Sequence, residues 1–240
     1  MKRFVKVLCL TAMIMGVGTA TQAQFRQSVY LNGNIPTGDF ASSASANSLS
    51  TNGVPLTYTE IGKDASVGFG LGYRASYRFD VGVGQVAPFA NIDFLWNTIG
   101  GGWSDKYSDA YYTTPTYFNI PLMAGVSYIY DELPWDDIAA YGEFGIGTDF
   151  LWITSEGGTN KTTNLNEEYS YKANFAFAWM IGAGAYFGQH VSAGLYYYGL
   201  GTHNIDYTES TLDEHAWSAN TLPRERRSVG SVMLRLGFHF

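Results

Sequence analysis

Seven charged side chains in this sequence lie where charge is least expected. Arg26, Arg74, Arg78 and Arg235, with Asp93, Glu143 and Asp149, each fall in a stretch whose alternate residues are apolar. A period of two places successive side chains on opposite faces of a strand, so these charges share the less apolar face. The arginine fork can bind a carboxylate through two parallel hydrogen bonds. Opposite charges enclosed together have to be paired. One reading is a gate or narrow ion path. The other is a plug that satisfies buried charge and fixes strand register, and it is preferred because inward charges must find partners whatever the function. Arg74 and Arg235 are expected to meet Glu143, with Arg26, Asp93 and Asp149 completing a polar network.

A second set of residues has the types for nucleophilic catalysis. His203, Asp206, Ser210 and His215 fall within about a dozen residues of one another, and acyl transfer needs a nucleophile, a base and an orienting group close together. Their spacing is that of a loop, and no recognisable signature surrounds them. Metal binding by His203 and His215 lacks a third ligand at sensible spacing. No catalytic residue, metal site or cofactor is therefore expected. The glycines of Gly68-x-Gly70-x-Gly72 share one strand face and reflect close packing, not a phosphate cradle.

Eight alternating runs must position these charges. They span about 25–32, 65–79, 86–97, 117–130, 139–153, 173–187, 191–202 and 228–240. In the second, Ala65, Val67, Phe69, Leu71, Tyr73, Ala75, Tyr77 and Phe79 form one face; Gly, Ser and Arg form the other. In the last, Gly230, Val232, Leu234, Leu236, Phe238 and Phe240 form a nearly apolar face. The phase of the seventh run is uncertain. Pro88 and Pro121 fall inside strands, where each should mark a bulge or a strand end. Connections after even-numbered runs are short, and those after odd-numbered runs are long. That is the pattern of an outer-membrane barrel, and an even strand count places both termini on the periplasmic side. Arg26, Arg74, Arg78 and Arg235 then lie on three neighbouring strands, facing the acidic residues across the axis.

A soluble eight-stranded barrel of lipocalin type is the main alternative. It would keep its large apolar residues inside. Here the Gly, Ser and Arg face is too small and polar to form a core, while the opposite face carries an uninterrupted apolar row. Exposed to water, such a row would aggregate. The fold class is therefore all-β: an eight-stranded antiparallel up-and-down transmembrane β-barrel.

Residues 1–23 read as a cleaved signal peptide, with a basic start at Lys2, Arg3 and Lys6, an apolar run from Val7 to Ala20, and small residues before Gln24. Residues 24–240 form the barrel domain. Cleavage removes Cys9, the sequence's one cysteine, and shifts the formal charge from −7 to about −10. Disulfide and thiolate chemistry are thereby excluded, and an acidic chain is a poor partner for nucleic acid. The composition includes 28 Gly and 18 Tyr with 15% charged residues, which suits a tightly coiled sheet with aromatic girdles. Trp96 and Trp152 are expected in those girdles.

The stretches Tyr30-Leu-Asn-Gly-Asn-Ile-Pro-Thr-Gly38, Tyr117-Phe-Asn-Ile-Pro-Leu-Met-Ala-Gly125 and Tyr141-Gly-Glu-Phe-Gly-Ile-Gly147, with Phe240 last, resemble small outer-membrane β-barrel proteins of the OmpA/OmpX-like superfamily. The resemblance implies that Phe240 is read by the barrel-assembly machinery. It implies a place in the outer membrane of a Gram-negative cell, with lipids and lipopolysaccharide as partners. Arg224, Arg226 and Arg227 are candidates for lipopolysaccharide phosphates, although they also read as a solvated charge run. The long connections, rich in Ser, Asn and aromatics, are expected to offer a ligand or adhesion surface. A structural or surface-interacting role is the first expectation. A narrow porin-like channel is the second, and a lipid A-modifying enzyme the third.

Overall fold

The computed structural model describes residues 24–43, 46–51, 54–59, 61–99, 110–112, 115–135, 137–160, 166–212, 215–217 and 224–240. The expected signal peptide lies outside them. Eight strands form the wall: β1 (Phe25–Thr37), β2 (Gly68–Tyr77, resumed at Phe79–Asp80), β3 (Gln85–Thr98), β4 (Thr116–Tyr130), β5 (Ile138–Ile153), β6 (Asn174–Phe187), β7 (Val191–Ile205) and β8 (Glu225–His239). Each pairs antiparallel with its sequence neighbours, and β1 pairs with β8, for example Leu31 opposite Leu236. The closed ladder leaves the wall no free edge, so its backbone groups can be satisfied without water.

The side chains are inverted relative to a soluble protein. Leu31, Leu71, Ile92, Leu122, Phe144, Ile181, Leu195, Leu234 and Leu236 point outward and are exposed. Tyr30, Asn32, Arg74, Asn91, Asp93, Glu143, Asp149, Met180, Tyr196, Tyr198 and Arg235 point inward and are buried. A continuous apolar belt of this size is incompatible with water and suited to acyl chains. Among the described residues no helix is long and apolar enough to cross a membrane; the chain crosses with strands. Aromatic rings stack in a row along one end of the belt. Phe69 and Trp96 lie 4.9 Å apart, Trp96 and Phe118 6.1 Å, and Phe118 and Trp152 5.1 Å. Tyr77, Phe79, Tyr128, Phe238 and Phe240 lie toward the other end. Girdles at both ends match the two faces of a bilayer.

The prolines are accommodated differently from expectation. Pro121 lies in the middle of β4 with no bulge and no strand end. The β3–β4 register is the same before and after it, and the ladder omits only the rungs at Asp93 and Phe94. A missing N–H removes a hydrogen bond but does not require an inserted residue. Pro88 likewise lies inside β3, in register with Val126, and faces Tyr77, the last β2 residue before the break at Arg78. Among the described residues the wall has one register shift, at Gly199–Gly201, where Leu200 is extra between β7 and β8. Gly201 has a φ of +86°, a conformation that glycine adopts without strain. This bulge reverses the phase of β7: Tyr196 and Tyr198 face inward before it, His203 and Ile205 after it.

Connections alternate in length as the sequence indicates. The short ones include Val81–Gly84 and Gly188–His190, and both ends of the described chain lie beside them: the Gln27 amide donates to the Phe240 carbonyl at 3.1 Å. The long ones are not plain loops. The first contains a 3₁₀ turn (Gly38–Ala41) and a hairpin of Ala46–Thr51 with Val54–Thr59. The others contribute Ala110–Tyr112, Glu156–Asn160, Asn166–Tyr171, Tyr207–Leu212 and His215–Trp217 to one antiparallel sheet that prolongs the wall.

The belt predicts a depth-dependent cost of charge. Leu71→Lys, at mid-belt, should lower folding free energy in lipid vesicles by about 2–4 kcal/mol. Val83→Lys, in a short turn, should cost about 1 kcal/mol or less. Denaturant titration of the vesicle-inserted protein measures both, and equal effects would contradict the assigned membrane depth.

Candidate functional site

The lumen is filled by side chains, as an eight-stranded barrel allows. Its centre is Arg235 on β8. One guanidinium nitrogen, Nη2, donates to Asp93 Oδ1 and Oδ2, both at 2.9 Å, and lies 2.8 Å from the Tyr198 hydroxyl. Nε donates to Asn32 Oδ1 at 2.9 Å. Asp93 also accepts from Asn32 Nδ2 at 3.1 Å, Asn91 Nδ2 at 2.7 Å and Tyr198 Oη at 3.0 Å. The guanidinium is flanked by the Tyr30 and Tyr196 rings at 4.6 and 4.5 Å. With Arg235 1% and Asp93 0% exposed, the pair depends on these contacts in place of water.

Arg74 on β2 spans the axis to Glu143 on β5, Nη1 to Oε2 at 2.7 Å, and its guanidinium lies 3.7 Å from the centre of the Phe89 ring. The expected meeting of Arg74 with Glu143 therefore occurs. Arg235 does not join them. Its strand is closer in register to Asn32 and Asp93, and Asp93 takes both of its hydrogen bonds to carboxylate. Asp149 on β5 meets no arginine. His203 Nε2 lies 3.1 Å from Asp149 Oδ2 and 3.0 Å from the Leu200 carbonyl. The imidazole hydrogen-bonds the Leu200 carbonyl and stands against the buried carboxylate. Arg26 makes no ion pair among the described residues, and its buried Nε lacks a partner. It stands apart from the pairs.

Small residues opposite large ones make the pairs fit. A Cβ on Gly72 would lie 2.1 Å from Asp93 Oδ1, and one on Gly182 would lie 2.1 Å from the Tyr196 ring. The glycine face of β2 is therefore the space that the Asp93 carboxylate and its partners occupy.

At the long-connection end the chain folds back over the lumen. Phe40 and Ile61 are fully buried there, with Phe40 4.9 Å from the Tyr117 ring. The Tyr117 hydroxyl donates to the Lys63 carbonyl at 2.9 Å and accepts from the Gly62 amide at 3.2 Å. Arg227 Nε donates to the Ile61 carbonyl at 3.1 Å, and Nη2 pairs with Glu225 at 2.5 Å. Asp39 anchors the turn to β8, accepting from the Ser228 amide at 3.0 Å and hydroxyl at 2.9 Å. Those donors hold its carboxyl below the usual carboxylate value, so the anchor persists above that range and is lost as pH falls through the lowered value.

Of the four residues considered for acyl transfer, His203 and Asp206 are engaged elsewhere. His203 belongs to β7 and is buried on Asp149. Asp206 pairs with Arg224 at 3.2 Å. Ser210 and His215 are in separate strands of the prolonged wall, and their side chains lie outside the described residues. His203 is the lumen residue that sequence reasoning missed, because the Leu200 bulge hides its phase. Tyr198, Asn32 and Asn91 were also missed as partners, though all lie on inward positions of alternating runs.

No family model matches the sequence, and no curated protein matches it. Similar solved structures include Ail, the attachment invasion locus protein of Yersinia pestis, at 14% identity and TM-score 0.39 over 90% of this chain and 98% of that chain. A major outer membrane protein from Thermus thermophilus aligns at 13% identity and TM-score 0.47 over 90% and 99%. OprG from Pseudomonas aeruginosa aligns at 13% and 0.42 over 90% and 97%. The fold itself rests on the strand pairing described above.

Breaking the central pair should cost more than replacing it. Asp93→Ala leaves Arg235 buried without its counter-ion and should destabilise the barrel by about 3–5 kcal/mol. Combining it with Arg235→Met should recover a large part of that loss. Denaturant titration of the three proteins in one lipid decides it; a single variant as stable as the parent, or no recovery in the double, contradicts the pairing.

Proposed function

We propose that this protein is a closed, non-conducting outer-membrane barrel whose work is structural and surface-directed. The observation that carries the reading is the crossing of the lumen by Arg235–Asp93 and Arg74–Glu143, with rings packed against both guanidiniums. In this reading those pairs, with His203 and Asp149 above them, form a plug, and Arg26 stands at its margin. The prolonged sheet and the hairpin of the first long connection supply the outward surface, where a ligand or a neighbouring cell component would bind. Long connections facing the exterior put both chain ends in the periplasm, where Phe240, exposed at the end of the last strand, is placed for recognition by the assembly machinery.

Lipopolysaccharide is the proposed lipid partner at the long-connection end. The geometry narrows the arginines that serve it. Arg227 is turned to Ile61 and Glu225, leaving Arg224, which lies near Asp206, and Arg226 as the exposed members of the three.

A narrow ion path is the second reading. Buried polar atoms without hydrogen-bond partners, among them Asn91 Oδ1, Asn119 Oδ1, Glu143 Oε1 and Arg235 Nη1, line the same lumen and favour it. Planar-bilayer recording separates the two. The expected result is no steady conductance from the purified full chain, and steady open channels would replace the plug by the path. Deacylation or palmitoyl transfer that disappears in His203→Ala would instead support the lipid-modifying alternative.

A further inference from the structure

Arg26 and Arg78 face inward near the short-turn end and have no carboxylate partner among the described residues. Arg26 on β1 stands opposite Ser76 on β2, and Arg74 and Arg78 flank Ser76 by two residues on either side. Side chains two apart in a strand share a face, so three guanidiniums and the Ser76 hydroxyl arise from one patch of wall. Arg74 is committed to Glu143. Arg78 is held with its guanidinium 4.8 Å from the centre of the Tyr186 ring. Arg26 buries its Nε with nothing to receive the hydrogen.

The surrounding groups do not neutralise them. His239 stands opposite Ser28 on the adjoining strand, and its ring nitrogens are taken by the Ser28 and Ser192 hydroxyls at 2.6 and 2.7 Å. His190 contacts the His239 carbonyl at 3.0 Å. Asp80 stands exposed at the end of β2, two residues from Arg78 and with no ion pair to it among the described residues, and Asp131, Glu132 and Asp137 are exposed on the turns. The Tyr186 and Tyr141 side chains are buried alongside and supply rings, not negative charge.

We propose that Arg26, Ser76 and Arg78 form a binding site for a small dissolved oxyanion, phosphate or sulfate, at the short-turn mouth of the lumen. Two guanidiniums present several donors in fixed planes, the arrangement that suits tetrahedral oxyanions. Low-dielectric walls focus the field of an uncompensated charge and raise the local concentration of counter-ions. Stacking on Tyr186 holds Arg78 in place before the anion arrives, which reduces the entropic cost of binding. The site opens into the lumen, not onto the apolar belt, so the anion arrives from solution and not as a lipid headgroup. It adjoins the Arg74–Glu143 pair without using it, and does not depend on whether the barrel conducts.

The test uses the full processed chain in a zwitterionic detergent. Inorganic phosphate is exchanged for chloride at constant ionic strength while thermal unfolding is followed. Ligand that binds only the folded state raises the melting temperature in a saturable way. The expected result is such a rise for the parent and for Lys172→Gln, which removes an exposed charge at the far end. In Arg26→Gln/Arg78→Gln the apparent phosphate affinity should fall ~tenfold or more. No saturable rise in the parent, or an unchanged rise in the double variant, overturns the site. So does stabilisation that follows phosphatidylglycerol content in nanodiscs but ignores free phosphate. Should the double variant fail to fold, Arg78→Gln alone, which leaves Arg26 intact, carries the same comparison.

Discussion

A guanidinium at the axis of a membrane barrel has no water shell to fall back on, and Arg235 is in that position. Its charge is met by the carboxylate of Asp93, three strands away around the wall, and by the polar atoms of Asn32 and Tyr198 on two further strands. These contacts can form together only when β8, β1, β3 and β7 are in one relative register. A slip of one residue would turn every inward side chain toward lipid and every apolar one toward the axis. The same alternation that suits the belt to acyl chains thus places the counter-ions. Neither requirement can be relaxed separately.

The narrow bore sets a second condition. The wall has to bring opposing side chains within hydrogen-bonding distance across the lumen, yet also hold the rings of Tyr141, Tyr196 and Tyr198. Glycine resolves the conflict by position. Gly72 leaves room for Asp93, and Gly182 receives the edge of Tyr196. Tyrosine then serves twice, its ring supporting a guanidinium and its hydroxyl joining the network, as in the 2.7 Å contact of Tyr141 with Tyr196. The abundance of Gly and Tyr in the composition is the signature of this interior as much as of the girdles.

Much of this was legible in the sequence, for identifiable reasons. Eight strands, their order and their two faces are local properties of a period-two pattern, and a run such as Leu234, Leu236, Phe238 states its outward face directly. The partners of the arginines are not local. Arg74 with Glu143 was legible because both charges stood out on inward faces. Arg235 with Asp93 was not, because the choice between two carboxylates depends on stagger around a closed wall, which no single run encodes. His203 was hidden by one extra residue: the bulge at Leu200 carries the inward phase from even to odd positions. The prolonged sheet reads as loop because Ser, Thr and Asn dilute the apolar alternation once strands leave the bilayer and no longer face lipid.

The lumen is consequently unequal along its length. At the long-connection end Phe40 and Ile61 close it with apolar surface, and the nearby charges are held locally by Glu225 and Ser228. In the middle each arginine has a carboxylate of its own. Toward the short turns Arg26 and Arg78 form no ion pair among the described residues, and the carboxylate in phase with them, Asp80, is exposed at the mouth. The apolar belt constrains outward positions and the central pairs constrain the middle of the wall, but neither constrains the inward residues at the mouth. Arg26 and Arg78 there have no ion pair among the described residues and stand beside Arg74, which leaves their charge open to a counter-ion from outside the wall.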